Sequence, residues 1–72
     1  MPLSRRMLLD RVSELLNARI HEHHLEYLRR RGYLRGPAGR IGSCYIYDED
    51  HVTELADACR QHVRELRKAV AS

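Results

Sequence analysis

The segment from Leu25 to Val52 constrains the fold most, because it separates two helical patterns with a short stretch rich in glycine. All four glycines of the 72-residue chain lie in the range 32–42. Gly36-Pro37-Ala38-Gly39 has the composition of a turn, and the residues at 43–47 alternate as a strand does. With the β-prone Tyr33-Leu34-Arg35 before the turn, the sequence predicts a two-stranded hairpin at about residues 33–47. Because an isolated hairpin is marginal in water, this one must pack on the helices.

A helical pattern precedes the hairpin near the N-terminus. Apolar residues recur three and four positions apart, the spacing of a helix with one apolar face: Leu8, Leu9, Val12, Leu15 and Leu16. Ser4 is a residue type that caps helix N-termini, and Asn17 ends the pattern. The first helix is therefore predicted at about residues 4–16.

A second helical pattern follows after a short break and covers about residues 20–31. Gly32 stands where helices often end on a left-handed residue. The run Arg29–Arg31 before it complements the negative C-terminal end of a helix dipole. Two short helices joined by a tight turn form a helix-turn-helix unit.

A third pattern follows the hairpin. Asp48 is a suitable N-cap, and the acidic residues directly after it suit a helix N-terminus. Apolar residues then recur at helical spacing: Val52, Leu55, Ala56, Cys59, Val63, Leu66 and Val70. The sequence predicts one helix at about residues 49–69, longer than a core of this size needs. Its overhanging residues Val63, Leu66 and Val70 are a candidate surface for a second copy or another protein. The predicted architecture is mainly α with a small β-hairpin, in the order α-α-β-β-α.

Positive charge is concentrated in the hairpin and in the helix end before it. The formal net charge is +3, and residues 29–47 contain five arginines and no acid. Arginine suits bidentate contacts to phosphate or guanine. Such a cluster is typical of a polyanion-binding surface. A solvated basic loop, with Arg29–Arg31 only capping a helix, would give the same pattern.

Catalysis and metal binding are not indicated by any spacing. The glycine-rich segment contains proline and leads into a strand, whereas a phosphate cradle leads into a helix. In His21-x-His23-His24, neighbours two apart on a helix do not share a face, and the two cysteines do not complete a zinc spacing. We therefore expect no enzyme activity, metal, cofactor or small-molecule ligand.

Length and composition point to a single domain over residues 1–72, too short for a large catalytic core. The sequence shows no signal peptide and no apolar run long enough to cross a membrane. Both cysteines are expected to be reduced thiols. We expect a cytoplasmic protein.

Three stretches within residues 11–56 resemble the MerR-like winged-helix superfamily, which includes small phage excisionases. R-V-S-E-L-L is similar to the family's first-helix motif I-S-E-L-A. L-E-Y-L-R-R-R-G-Y-L is similar to L-R-Y-Y-E-R-x-G-L-L, with matches at Leu25, Tyr27, Arg30, Gly32 and Leu34. Y-I-Y-D-E-D-H-V-T-E-L is similar to R-x-Y-x-x-x-D-V-x-x-L, with matches at Tyr47, Val52 and Leu55. Two arginines of the family pattern are replaced here, by Glu26 and Tyr45.

The resemblance implies a winged helix-turn-helix that binds double-stranded DNA, without the coiled coil and effector domain of full-length MerR regulators. By resemblance, the chain is a small transcriptional regulator or an excisionase-like architectural factor. The second helix is expected to enter the major groove, and the basic wing to lie on the backbone. The predicted contacts are His21, Glu22, His23, Glu26, Arg29, Arg30, Arg31, Arg35 and Arg40. The alternative is a protein–protein adaptor that uses the long C-terminal helix for docking or dimerisation.

Overall fold

The computed structural model describes the fold of residues 2–71 and the side chains of residues 2–69. The elements in chain order are α1 (Arg5–Leu16), α2 (Glu22–Arg30), β1 (Gly39–Ile41), β2 (Cys44–Ile46), α3 (Glu49–Gln61) and α4 (Val63–Ala71). The protein is thus mainly helical with a two-stranded antiparallel hairpin, as the sequence predicts. The order is α-α-β-β-α-α, with one helix more than predicted. None of the described helices has the length and hydropathy needed to cross a bilayer.

Both ends of α1 follow the sequence prediction. The Ser4 Oγ accepts a hydrogen bond from the Met7 backbone N–H at 3.2 Å, which satisfies a free donor of the first turn. At the other end, Asn17 has a φ of 51°, in the left-handed region that asparagine tolerates. The side chain of Ser13 then accepts from the Ile20 N–H at 2.9 Å and fixes the turn to α2.

The C-terminus of α2 is closed by a Schellman motif centred on Gly32, whose φ is 81°. The Tyr33 N–H donates to the Leu28 carbonyl at 2.9 Å, and the Gly32 N–H donates to the Arg29 carbonyl at 3.1 Å. The left-handed stop predicted at Gly32 is confirmed. The chain then turns sharply, so that Tyr33 and Leu34 pack against the helices.

The hairpin lies later in the sequence than predicted. Its register pairs Arg40 with Tyr45, and its turn is formed by Gly42 and Ser43. Gly42 has a φ of 61°, at the first turn position, where type II′ hairpins place glycine. The predicted first strand at 33–35 and the predicted turn at 36–39 are wrong. Those residues form a connection that is fixed by side chains, since Leu34 is buried in the core and Arg35 binds two carboxylates.

A short β-bridge joins the N-terminal segment to the end of the hairpin. The Leu3 N–H donates to the Tyr47 carbonyl at 2.7 Å, and the Tyr47 N–H donates to the Leu3 carbonyl at 2.8 Å. Both side chains are buried. This pairing, which the sequence did not predict, ties the start of α1 to β2.

The helix predicted at 49–69 is broken at His62, which separates α3 from α4. His62 has φ −116° and ψ 27°, outside the helical range, while its N–H still donates to the Ala58 carbonyl at 3.0 Å. Its ring stacks on that of Tyr33, with 3.6 Å between ring centres. Beyond the break, Leu66 is buried in the core. Of the predicted overhang, Leu66 therefore packs onto the domain.

The core lies where α1, α2 and the hairpin meet α3. Its buried apolar residues are Leu3, Leu8, Val12, Leu25, Leu28, Leu34, Tyr47, Val52, Leu55, Ala56, Ala58, Cys59 and Leu66. His51 is also fully buried. Burial of these side chains is the main stabilising contribution in a domain of this size.

Candidate nucleic-acid interface

The outer side of α2 carries two carboxylates that are already engaged by arginines. Glu22 forms an ion pair with Arg5, which links the first turns of α2 and α1. Glu26 forms an ion pair with Arg29 at 3.0 Å, one helical turn further along. The two acids predicted to face DNA are thus partly neutralised within the domain.

The Tyr47 side chain is buried at the end of the hairpin, where its backbone pairs with that of Leu3. Burial raises the pKa of Tyr47 above its ordinary value. The positive charges of Arg5 and Arg29 oppose this rise in pKa, whereas Glu26 and Tyr45 add to it.

The hairpin contributes an exposed arginine, Arg40. Its guanidinium lies 5.8 Å from the centre of the Tyr45 ring, directly across the strand pair. Its Nε donates to the Gly42 carbonyl at 2.8 Å, which holds the side chain beside the turn. Within residues 2–69, no acid pairs with Arg40. We refer to Arg5, Glu22, Glu26, Arg29, Arg40 and Tyr45 as the α2–hairpin face.

The other two arginines at the end of α2 differ from each other. Arg30 is exposed, lines a cleft with Glu22 and Glu26 beside the α2–hairpin face, and forms no ion pair with any described residue. Arg31 turns towards α4: its Nε lies 3.9 Å from the Glu65 carboxylate and its guanidinium lies over the Tyr33 ring. Arg30 is therefore available to a ligand, whereas Arg31 helps to hold α4.

Three histidines cluster at the start of α2. The rings of His23 and His24 lie 4.4 Å apart, and His21 is 5.3 Å from His23. The His24 Nδ1 accepts from the His21 N–H at 2.8 Å, as part of a capping box. Burial, and then the neighbouring His23 and His21, lower the pKa of His24. The described part of the chain holds no group of three or more histidine, cysteine or acidic residues placed to bind a metal ion.

Arg35 does not lie in the hairpin, whereas the sequence predicts it in the first strand. Its Nε donates to both carboxylate oxygens of Glu54, at 3.0 and 2.9 Å, and a terminal nitrogen donates to Asp48 at 2.9 Å. The hydrogen bond from Arg35 lowers the pKa of Glu54, and the same contact raises the pKa of Arg35. Arg35 thus fixes the connection between α2 and β1 to the start of α3.

His51 supports the same connection from inside the core, and sequence reasoning did not single it out. Its Nε2 lies 2.9 Å from the Gly36 carbonyl. Because a carbonyl only accepts, Nε2 carries the proton. The Nδ1 accepts from the Asp48 N–H at 3.2 Å, and Asp48 caps the His51 N–H in return. The spacing Asp48-x-x-His51, that of a capping box, is the signal that could have found it.

A cluster around Glu65 docks α4 on the rest of the domain. The hydroxyls of Tyr27 and Tyr33 donate to its carboxylate at 2.8 and 3.0 Å. These two hydrogen bonds, Tyr27 first, lower the pKa of Glu65. Of the predicted partner surface, Val63 is 41% exposed, Leu66 is buried, and the Val70 side chain lies outside the described residues.

No protein-family model, curated protein or solved structure matches this chain.

Proposed function

We propose that the chain is a double-stranded DNA-binding module of the winged helix-turn-helix type. In this proposal α2 enters the major groove, and the hairpin is the wing that lies along the backbone. The observation that carries the proposal is that Arg30 on α2 and Arg40 on the hairpin are exposed and have no ion pair with any described acid. The second helix and the hairpin thus each offer an unpaired cation, as backbone contacts require.

The distribution of ion pairs supports Arg30 and Arg40 as the first phosphate contacts, since no described acid competes for them. Arg5 and Arg29 can join only by leaving Glu22 and Glu26. His21 and His23 are exposed at the N-terminal turn of α2, the part of a recognition helix that reaches base edges. The motif resemblance to MerR-like proteins favours the same arrangement and a regulator or excisionase-like factor.

The existence of the interaction is tested by titrating a labelled duplex of random sequence with the protein and measuring fluorescence anisotropy. We expect binding at about 50 mM salt that weakens at about 200 mM, because phosphate contacts release counterions. The absence of binding at the lower salt concentration would contradict the proposal. Binding that is equally strong at both concentrations would exclude phosphate contacts as its basis.

A further inference from the structure

An open apolar groove of about 570 Å³ lies between the α1–α2 turn and the α3–α4 junction. Its apolar walls are formed by Leu16, Ala18, Ile20, Cys59, Val63 and Leu66. Val63 is 41% exposed although both Cys59 and Leu66 beside it are buried. The groove has no lining residue in common with the α2–hairpin face.

The polar side chains that line this groove are all hydrogen-bond donors: His24, Arg60 and Arg67. The His24 Nδ1 already accepts from the His21 N–H, so the other ring nitrogen of the neutral side chain carries a proton. Arg60 contacts Asp57 at 3.4 Å, and Asp57 does not line the groove. Arg67 forms no ion pair within residues 2–69. An occupant of the groove must therefore bring apolar groups together with acceptors, and negative charge suits it best.

We propose that this groove docks an amphipathic helix of a partner protein, with apolar residues three and four positions apart flanked by glutamate or aspartate. Such a helix lays its apolar side chains into an open groove, and its flanking acids reach the rim. Rim contacts of this kind set the choice of partner and the rate of association.

Within residues 2–69, a second copy of the chain does not present such a helix. The exposed large apolar residues of the described region are Met7, Leu15, Ile41, Tyr45 and Val63. Of these, only Ile41 and Tyr45 are four positions apart, and both belong to the hairpin. Met7 and Leu15 are separated on α1 by Arg11, which is paired with Glu49. The described residues therefore favour a helix of a different protein as the occupant.

The experiment is a selection from a displayed library of amphipathic helical peptides. Their apolar stripe is fixed, and their flanking positions vary among glutamate, glutamine and lysine. We expect peptides rich in glutamate to be enriched. The most enriched peptide should shift the NMR amide signals of Ala18, Ile20 and Val63 in the full chain. It should bind at least about tenfold more weakly to the Arg60→Glu, Arg67→Glu double variant, a loss of about 1.4 kcal/mol. Arg64→Glu, on the same helix as Arg67 and outside the groove, is the control and should retain the affinity.

Three results would overturn the proposal: no enrichment, enrichment of lysine, or NMR shifts confined to the α2–hairpin face. Displacement of the peptide by octanoate at equal concentration would assign the groove to small apolar carboxylates and would also overturn it. Because neither the peptide nor the groove variants involve DNA, failure here is distinguishable from failure of DNA binding.

Discussion

The guanidinium of Arg35 lies 2.8 Å from the Glu54 carboxylate, so an arginine of the basic segment is bound within the domain. The same guanidinium contacts Asp48, the N-cap of α3. Burial alone would raise the pKa of Asp48, but hydrogen bonds from Arg35 and His51 hold it below its ordinary value. This arginine therefore serves the fold, while Arg40 and Arg30 remain exposed for a ligand.

The first prediction distinguishes an arginine that stabilises the fold from an arginine that contacts DNA. Arg35→Gln removes the contacts to Glu54 and Asp48, so we expect the melting temperature to fall by several degrees. Well below that temperature, the affinity for duplex DNA should change by less than about twofold, since Arg35 makes no phosphate contact in this account. Thermal denaturation followed by circular dichroism, with anisotropy titrations beside it, measures both. Arg64→Gln removes the same charge at a site without an ion pair among the described residues and should leave the melting temperature unchanged. A stable Arg35→Gln protein that has lost DNA affinity would show that Arg35 contributes to the DNA interface.

A second prediction concerns how acidic pH changes the stability that the docking of α4 contributes. Tyr27 and Tyr33 donate to Glu65 and lower its pKa from the ordinary value of 4.5. A carboxylate with a lowered folded-state pKa contributes stability that is fully present above the unfolded value. That stability is lost as pH falls through the folded value. Glu65→Gln should therefore be less stable than the native protein at pH 7, and the difference should shrink below about pH 4.5. Urea denaturation across pH measures the difference, with Glu14→Gln as the exposed control. A difference that stays constant down to pH 2 would show that the Glu65 charge contributes nothing.

The buried His51 supplies a third prediction. His51→Leu keeps a side chain of similar volume in the core. It leaves the Gly36 carbonyl without its donor and the Asp48 N–H without its acceptor. Losing these two part-buried hydrogen bonds costs about 0.5–1.5 kcal/mol each in the free energy of unfolding. That is a large fraction of the stability of so small a domain. Chemical denaturation measures the loss, and His23→Leu, at an exposed site, is the control. Equal stability of the native protein and His51→Leu would contradict a structural use of this ring.

Local signals in the sequence predicted the helix ends well. Ser4, Asn17, Gly32 and Asp48 act at the positions assigned to them, because caps and left-handed stops depend on a few neighbouring residues. The helical spacing of the apolar residues also identified most of the core. The break at His62 was missed because the apolar spacing continues through it from Cys59 to Leu66. The stacking of His62 on Tyr33 at this break joins residues far apart in the sequence.

The candidate site was predicted only in part. Composition identified the basic segment, but it could not distinguish Arg35, which is held by Glu54, from Arg40, which is not. It also placed the turn at the Gly36–Gly39 segment instead of at Gly42, because glycine content alone does not fix strand register. The pairing of Leu3 with Tyr47 depends on the packed fold and has no local signal.

The paired acids of α2 give a fourth prediction. Glu26→Gln removes the partner of Arg29 and a negative charge from the α2–hairpin face. Both changes favour contact with phosphate, so we expect affinity for random duplex to rise about two- to fivefold at low salt and less at high salt. Glu14→Gln, the same charge change on the exposed side of α1, is the control. A loss of affinity in Glu26→Gln would instead indicate a direct base contact by the Glu26 carboxylate.

In the proposed complex, Arg30 and Arg40 contact the DNA backbone. The most direct measurement is the slope of log affinity against log salt for Arg30→Gln, Arg40→Gln. The control is Arg64→Gln, Arg67→Gln, which removes the same two charges from α4. Each lost phosphate contact should reduce the slope by about 0.9. We predict a reduction of about 1.8 for the first double variant and the native slope for the control. Equal slopes in the two double variants, or the larger reduction in the control, would contradict this interface.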